Sequence, residues 1–409
     1  MNSPIYLPWR SRLARARLSR RGLLRGSAVG AIGLAAAGLV GCGDDDDDDD
    51  DDNGAANGGD PDANGNGGNG GGGLSTVGYG FPFGAPFAGL LAEHYVADDR
   101  GYFAEEGLEE SILYQTALLP LIAAGTLEYA RVTPVNFLNA QEAGQPLKAV
   151  FQGTYAFVFG IRVPEDSEIT EFSADAFRGQ AIGITEFAGG EVPMVRALLK
   201  SIGLEEGTDV ELIPTSGTTQ QPTVDNLQTG AIAAFAGSHV DFAAIETFGL
   251  PLRDVTPEEV VNINADDATG VGADYLAENR DEVVRFCRAT AKGLIFTIEN
   301  PRAAAEIGIK EPYAPDSGTI EEVETFIRIF VNDRATPPEG VSYGEMPIDG
   351  WEAYQNFLLE GRTGGQDDPL AFEEPVDVSE IIDNSLVPEI MDFDLEAIRQ
   401  EARDYVSES

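Results

Sequence analysis

Cysteine is almost missing from this chain: Cys42 and Cys287 are the only two, too few for a disulfide framework or a cysteine-rich zinc site. Histidine is as scarce, with His94 and His239 alone. No nucleophile elbow, metal-ligand spacing or phosphate loop accompanies them, so the sequence points to no catalytic residue, no metal and no cofactor. Lysine is reduced to Lys148, Lys200, Lys292 and Lys310, none of them in a post-strand loop suited to a Schiff base. Positive charge as a whole is short. The 26 Lys+Arg face 70 Asp+Glu for a net charge of -44, which repels nucleic acid and anionic lipid surfaces alike, so no nucleic-acid partner is expected.

Hydrophobic residues make up 43% of the 409 positions and aromatics 9%, enough for sizeable cores, and the length predicts two lobes rather than one. Cys287 falls in the apolar stripe Val283, Phe286, Cys287, Leu294, Ile298, where a buried small hydrophobe is expected.

The first residues read as an address. Seven Arg from Arg10 to Arg25 precede an apolar run from Gly26 to Val40, shorter than the roughly 20 residues that cross a bilayer. Ser19-Arg20-Arg21-Gly22-Leu23-Leu24 resembles the twin-arginine export signal. Leu39-Val40-Gly41-Cys42 resembles a lipobox, which implies lipidation of Cys42 and a membrane partner reached through that anchor. Nine Asp, Asp44 to Asp52, and a Gly/Asn/Asp stretch through Gly73 follow. Self-repelling charge and Gly-rich coil predict an extended spacer.

From Ser75 the pattern becomes α/β, with short apolar runs alternating with amphipathic segments closed by Gly. Strands are predicted at Thr76–Gly80, Glu110–Leu113, Tyr129–Val132 and Leu147–Phe151, and again at Ala181–Thr185, Val210–Pro214 and Ala231–Phe235. Helices are expected between them, and later over Asp281–Ile298, from Asn300-Pro301, and over Ile320–Val331. The stretch from Pro337 to about Asp377 offers only the aromatic anchors Tyr343, Trp351, Tyr354 and Phe357.

Those elements resemble the binding proteins of ABC importers for thiamine pyrimidine precursors, taurine, alkanesulfonates and nitrate. The resemblance rests on Tyr95-Val96-Ala97 with Gly101-Tyr102-Phe103-Ala104-Glu105-Glu106-Gly107-Leu108, on Arg178-Gly179-Gln180-Ala181-Ile182-Gly183-Ile184, and on Leu227-Gln228-Thr229-Gly230-Ala231-Ile232-Ala233-Ala234. Glu278 to Val284 and Asn300 to Ala304 extend it. It implies the periplasmic binding protein type II fold, two Rossmann-like lobes joined by two hinge crossings, near Val163–Ser173 and Asn264–Gly272. The expected organisation is a signal over 1–42, a linker over 43–74, a first lobe from 75–167 and 268–350, a second from 168–267, and a helical extension over 351–409 packed on the lobes. It further implies an extracytoplasmic, lipid-anchored monomer that takes a small-molecule ligand and docks on an ABC importer permease. An enzyme is not expected: relatives of the same fold that synthesise the thiamine pyrimidine carry a cysteine-rich motif absent here. A ligand sensor for a membrane signalling partner is the other rival reading.

Ligands of open parallel sheets bind beyond the carboxyl ends of strands, which selects the candidate contacts. Phe81, Phe83 and Tyr155 offer rings for stacking or for core packing. Thr185 and Glu186, before Gly189 and Gly190, offer a carboxylate for an amine or aminopyrimidine. Thr133 and Asn136 open a helix, either as an anion site or as a plain cap. Ser238 and His239 end a strand. No post-strand Arg or Lys cluster suits a sulfonate or nitrate, so a neutral or cationic heterocycle is expected.

Overall fold

The computed structural model describes residues 74–82, 86–115, 117–145, 147–187, 189–215, 221–362 and 370–407. The expected signal, Cys42, the acidic run and Phe83 lie outside them. Two five-stranded sheets organise the rest, in the orders β2-β1-β3-β10-β4 and β7-β6-β8-β5-β9. The first contains β1 (Ser75–Phe81), β2 (Leu108–Tyr114), β3 (Tyr129–Val132), β4 (Leu147–Gln152) and β10 (Ala268–Gly272). The second contains β5 (Phe159–Pro164), β6 (Ala181–Ile184), β7 (Glu211–Pro214), β8 (Ala234–Ser238) and β9 (Leu252–Asp254).

Each sheet is parallel except where the chain arrives from the other lobe. Strands β1, β2 and β3 run parallel, and β10 is inserted antiparallel between β3 and β4. In the second sheet β6 lies parallel to β7 and β8, and β5 is inserted antiparallel between β8 and β9. A strand entering at the carboxyl end of a parallel sheet has to run back down it, and this gives both incoming strands their direction.

That geometry corrects the expected crossings. Because β5 already belongs to the second sheet, the first crossing is residues 153–158, upstream of Val163–Ser173. The second runs through 255–267, since Ala268–Gly272 is itself β10. Residues 159–164 therefore group with the second lobe. Pro164 misled the reading: it ends β5 opposite Leu252 of the three-residue β9, at an edge where a missing N–H is tolerated. The strand expected at Ala231–Phe235 begins later, at Ala234.

Helices of eight or more residues are α1 (Ala92–Asp99), α2 (Pro134–Glu142), α3 (Val192–Ser201), α4 (Gln221–Thr229), α5 (His239–Thr247), α6 (Ala273–Glu299), α7 (Pro301–Gly308), α8 (Ile320–Ile327), α9 (Ile348–Glu360) and α10 (Leu395–Arg403). Local sequence starts most of the later ones. Asn300 caps α7 with Pro301 in its first turn, and Thr319 and Glu322 form a reciprocal capping box on α8. Helix α6 bends at Asn279. Cys287 is buried within it, and burial pushes the thiol up, away from reactivity.

The segment that sequence left unplaced ties the lobes together. Helix α9 packs on α3 of the second lobe and α2 of the first. Its Trp351 indole donates to Gln152 Oε1 at 2.9 Å, and Gln152 Nε2 donates to the Asn264 carbonyl at 3.2 Å. One apolar core runs through both lobes, with Val132, Phe137, Ile182, Val195, Trp351 and Tyr354 among its members. Helix α8 continues into a π-helical turn, Arg328–Asn332, and both contact α5 of the second lobe.

Candidate functional site

A cavity of about 50 Å³, lined by apolar side chains and a few charged ones, lies where the crossings meet the carboxyl ends of β3 and β4. Thr154 of the first crossing, Asp267 of the second, Arg131, Glu93, Phe330 and Arg334 are among its walls. Its volume accommodates a few water molecules or the edge of a ring.

The buried carboxylates of Glu93 and Asp266, the half-buried Asp267 and two guanidiniums set its electrostatics. Arg131, projecting from β3, is ion-paired with Glu93 at the start of α1 and donates to the Leu90 carbonyl at 3.0 Å. Its guanidinium lies over Phe81 at 5.4 Å and Phe330 at 5.8 Å. Burial is the largest single influence and lowers the Arg131 pKa, but the charge of Glu93, with Tyr79 and Asp267, together overcomes it and leaves the guanidinium firmly protonated. Arg334, reached just after the π turn, is ion-paired with Asp266 and donates to the Phe330 carbonyl at 3.2 Å. Each Arg is thus matched by one carboxylate.

Asp267 is the carboxylate left over. Its Oδ1 and the Nε of Arg334 are sealed from solvent and meet no hydrogen-bond partner among the described residues. Burial, reinforced by the Asp266 charge and opposed by Arg131 and Arg334, pushes the Asp267 carboxyl up to about 6.

In the second lobe, the loop after β6 and the start of α5 stand at the carboxyl ends of their strands and do not line this cavity. Thr185 donates its backbone N–H to Glu191 Oε1 at 2.7 Å and its hydroxyl to the same oxygen. Glu191 is buried, and burial raises its carboxyl pKa. The glycines make this fold of the loop possible: a Cβ on Gly189 would stand 2.4 Å from the Glu191 carboxylate, and one on Gly190 2.6 Å from the Phe159 ring. Glu186 and Phe187 are left exposed on the tip.

Phe81 is buried, edge-on to Tyr114. Tyr155 is buried too, its hydroxyl donating to the Ser342 carbonyl and accepting from the Gly344 N–H, so packing accounts for that ring. Thr133 caps α2 through the Asn136 N–H at 3.3 Å, and Asn136 is exposed. Ser238 forms a reciprocal capping box with Asp241. The Nε2 of His239 is 2.9 Å from the Phe157 carbonyl in the first crossing. Burial, with the charges of Arg334 and Arg162, pulls the His239 pKa down to about 3. Sequence reasoning missed Asp267, Arg334, Glu93 and Glu191. An acid among seventy acids carries no local signal.

The NMT1/THI5 like family matches residues 91–304, more than half of the chain. This protein belongs to that family. It is 26% identical over 306 residues to the riboflavin-binding protein RibY of Chloroflexus aurantiacus, covering 73% of this chain and 82% of that one. It is 22% identical over 270 residues to the formylaminopyrimidine-binding protein of Halalkalibacterium halodurans, covering 64% and 79%. The periplasmic nitrate-binding protein NrtA from Synechocystis PCC 6803 superposes with a TM-score of 0.53 at 15% identity, over 82% of this chain and 99% of that one. The chain therefore has the two-lobed α/β fold of the periplasmic binding proteins.

Proposed function

We propose that this member of the family is the solute-binding component of an ABC importer and holds a planar, nitrogen-containing heterocycle between its lobes. The observation that carries the ligand class is the charge balance of the cavity. Arg131 is matched by Glu93 and Arg334 by Asp266, and the unmatched group is Asp267. An anionic ligand would meet a surplus carboxylate there, whereas a neutral or cationic ligand with N–H donors meets an acceptor. The curated relatives named for riboflavin and formylaminopyrimidine both take planar nitrogen heterocycles, which supports the same reading.

Binding energy that favours a closed form would shift the hinge equilibrium and present the loaded protein to the permease. The lipobox-like Leu39-Val40-Gly41-Cys42 and the arginines before it support export and a lipid anchor on the extracytoplasmic face. Thermal shift of the full chain against riboflavin, aminopyrimidines, taurine, alkanesulfonates and nitrate tests the ligand class. A rise in melting temperature with heterocycles is expected, and a rise with taurine, sulfonates or nitrate alone would reverse the assignment. Mass spectrometry of the mature N-terminus should find diacylglycerol on Cys42.

A further inference from the structure

We propose that Asp267 and Arg334 form one reading pair in the cavity at the crossings: Asp267 Oδ1 accepts from an N–H on a heterocycle's edge, while Arg334 Nε donates to the acceptor beside it. This rests on the solute-binding reading above and names the atoms that choose the ligand.

The Arg334 side chain is otherwise held in place. It spends its two terminal nitrogens on Asp266 and on the Phe330 carbonyl, and its guanidinium lies 4.9 Å over the Phe330 ring. Its Nε has no partner among the described residues. The backbone beneath Asp267 is fixed by its own N–H, which donates to Asp266 Oδ1 at 2.8 Å. Buried polar atoms are paired in nearly all native structures, so two orphans of opposite kind lining one cavity call for a guest that carries both a donor and an acceptor. A 4-aminopyrimidine presents its amino group beside a ring nitrogen, and an imide such as that of a flavin presents N–H beside C=O. Either edge presents the complementary donor and acceptor, and a cavity of about 50 Å³ has room for an edge rather than a whole ring system.

The placement also links recognition to the hinge. Asp267 ends the second crossing, and the Arg334 carbonyl accepts the Tyr155 N–H of the first crossing at 2.7 Å. A ligand edge bridging the pair therefore touches the second crossing directly and reaches the first through Arg334. His239, of the second lobe, lies within reach of the Arg334 charge.

The test compares matched ligands on the full chain by calorimetry: riboflavin against 3-methylriboflavin, and 4-amino-2-methylpyrimidine against 2,4-dimethylpyrimidine. The native protein is expected to bind the N–H member of at least one pair tenfold or more tightly than its methylated counterpart. Asp267→Ala, which removes the acceptor, should erase most of that preference, and Asp267→Asn, which keeps an uncharged acceptor, should reduce it, while circular dichroism stays native. Retention of the full preference in both variants, or its absence from the native protein, overturns the reading pair and leaves the solute-binding assignment standing. Binding of taurine, sulfonates or nitrate and of no heterocycle overturns both.

Discussion

Glu191 in the second lobe and Asp267 in the second crossing are carboxylates of similar setting and opposite fate. Both are pushed up by burial. Glu191 receives the Thr185 N–H and hydroxyl and thereby fixes the loop that carries Glu186 and Phe187. Asp267 keeps a sealed oxygen that no described residue satisfies. The difference separates a carboxylate that builds the site from one positioned to be used by it. Burial and raised pKa alone do not tell these apart; the partner census does.

The comparison can be broken by substitution, starting with the ion pair beneath it. Asp266→Ala strands the buried Arg334 charge and is expected to cost about 3–5 kcal/mol in urea unfolding. Glu191→Ala should cost about 1–3 kcal/mol by leaving two Thr185 donors without an acceptor. A similar loss is expected for Gly190→Ala, whose Cβ collides with Phe159. Asp267→Asn should do the opposite and stabilise the ligand-free protein at neutral pH by about 1–3 kcal/mol, because it removes a strained half-buried charge. Equal destabilisation by Glu191→Ala and Asp267→Asn would erase the distinction.

Titration sharpens it. The Asp267 carboxyl binds its proton more tightly folded than unfolded, so it lowers stability as pH rises from about 3.8 through about 6. His239 is held neutral down to about 3, so its contribution is present above about 6.5 and is lost as pH falls toward 3. The two slopes oppose each other in the same window. Relative to the native protein, Asp267→Asn should gain stability progressively from pH 4 to pH 7, and His239→Asn should gain it toward acid. The smallest effect is expected at the exposed tip, where Glu186→Gln should leave unfolding within about 0.5 kcal/mol of native. A change in ligand affinity in that variant would then report direct contact.

Much of the fold was legible because periodicity and caps are local. The strand at Tyr129–Val132 was read to the residue, and Thr133-Pro134 and Asn300-Pro301 start helices as their side chains dictate. Strands β5, β9 and β10 were not legible. Strand β9 has only three residues, β5 and β10 follow no βα rhythm because they enter their sheets antiparallel, and Pro164 looked like a break. At the candidate site, the loop after β6 was found through Gly189 and Gly190, but its anchor Glu191 was overlooked. Thr133 and Ser238 proved to be caps.

The amino-acid sequence by itself determined the two-lobed α/β architecture, the acidic character and the kinship with solute-binding proteins, since each follows from composition or from neighbours a few positions apart. Tertiary structure alone decided where the chain changes lobes and which charges remain unmatched. Asp267 and Arg334 are far apart in sequence, and whether a buried carboxylate is satisfied depends on groups that only folding brings within hydrogen-bond distance.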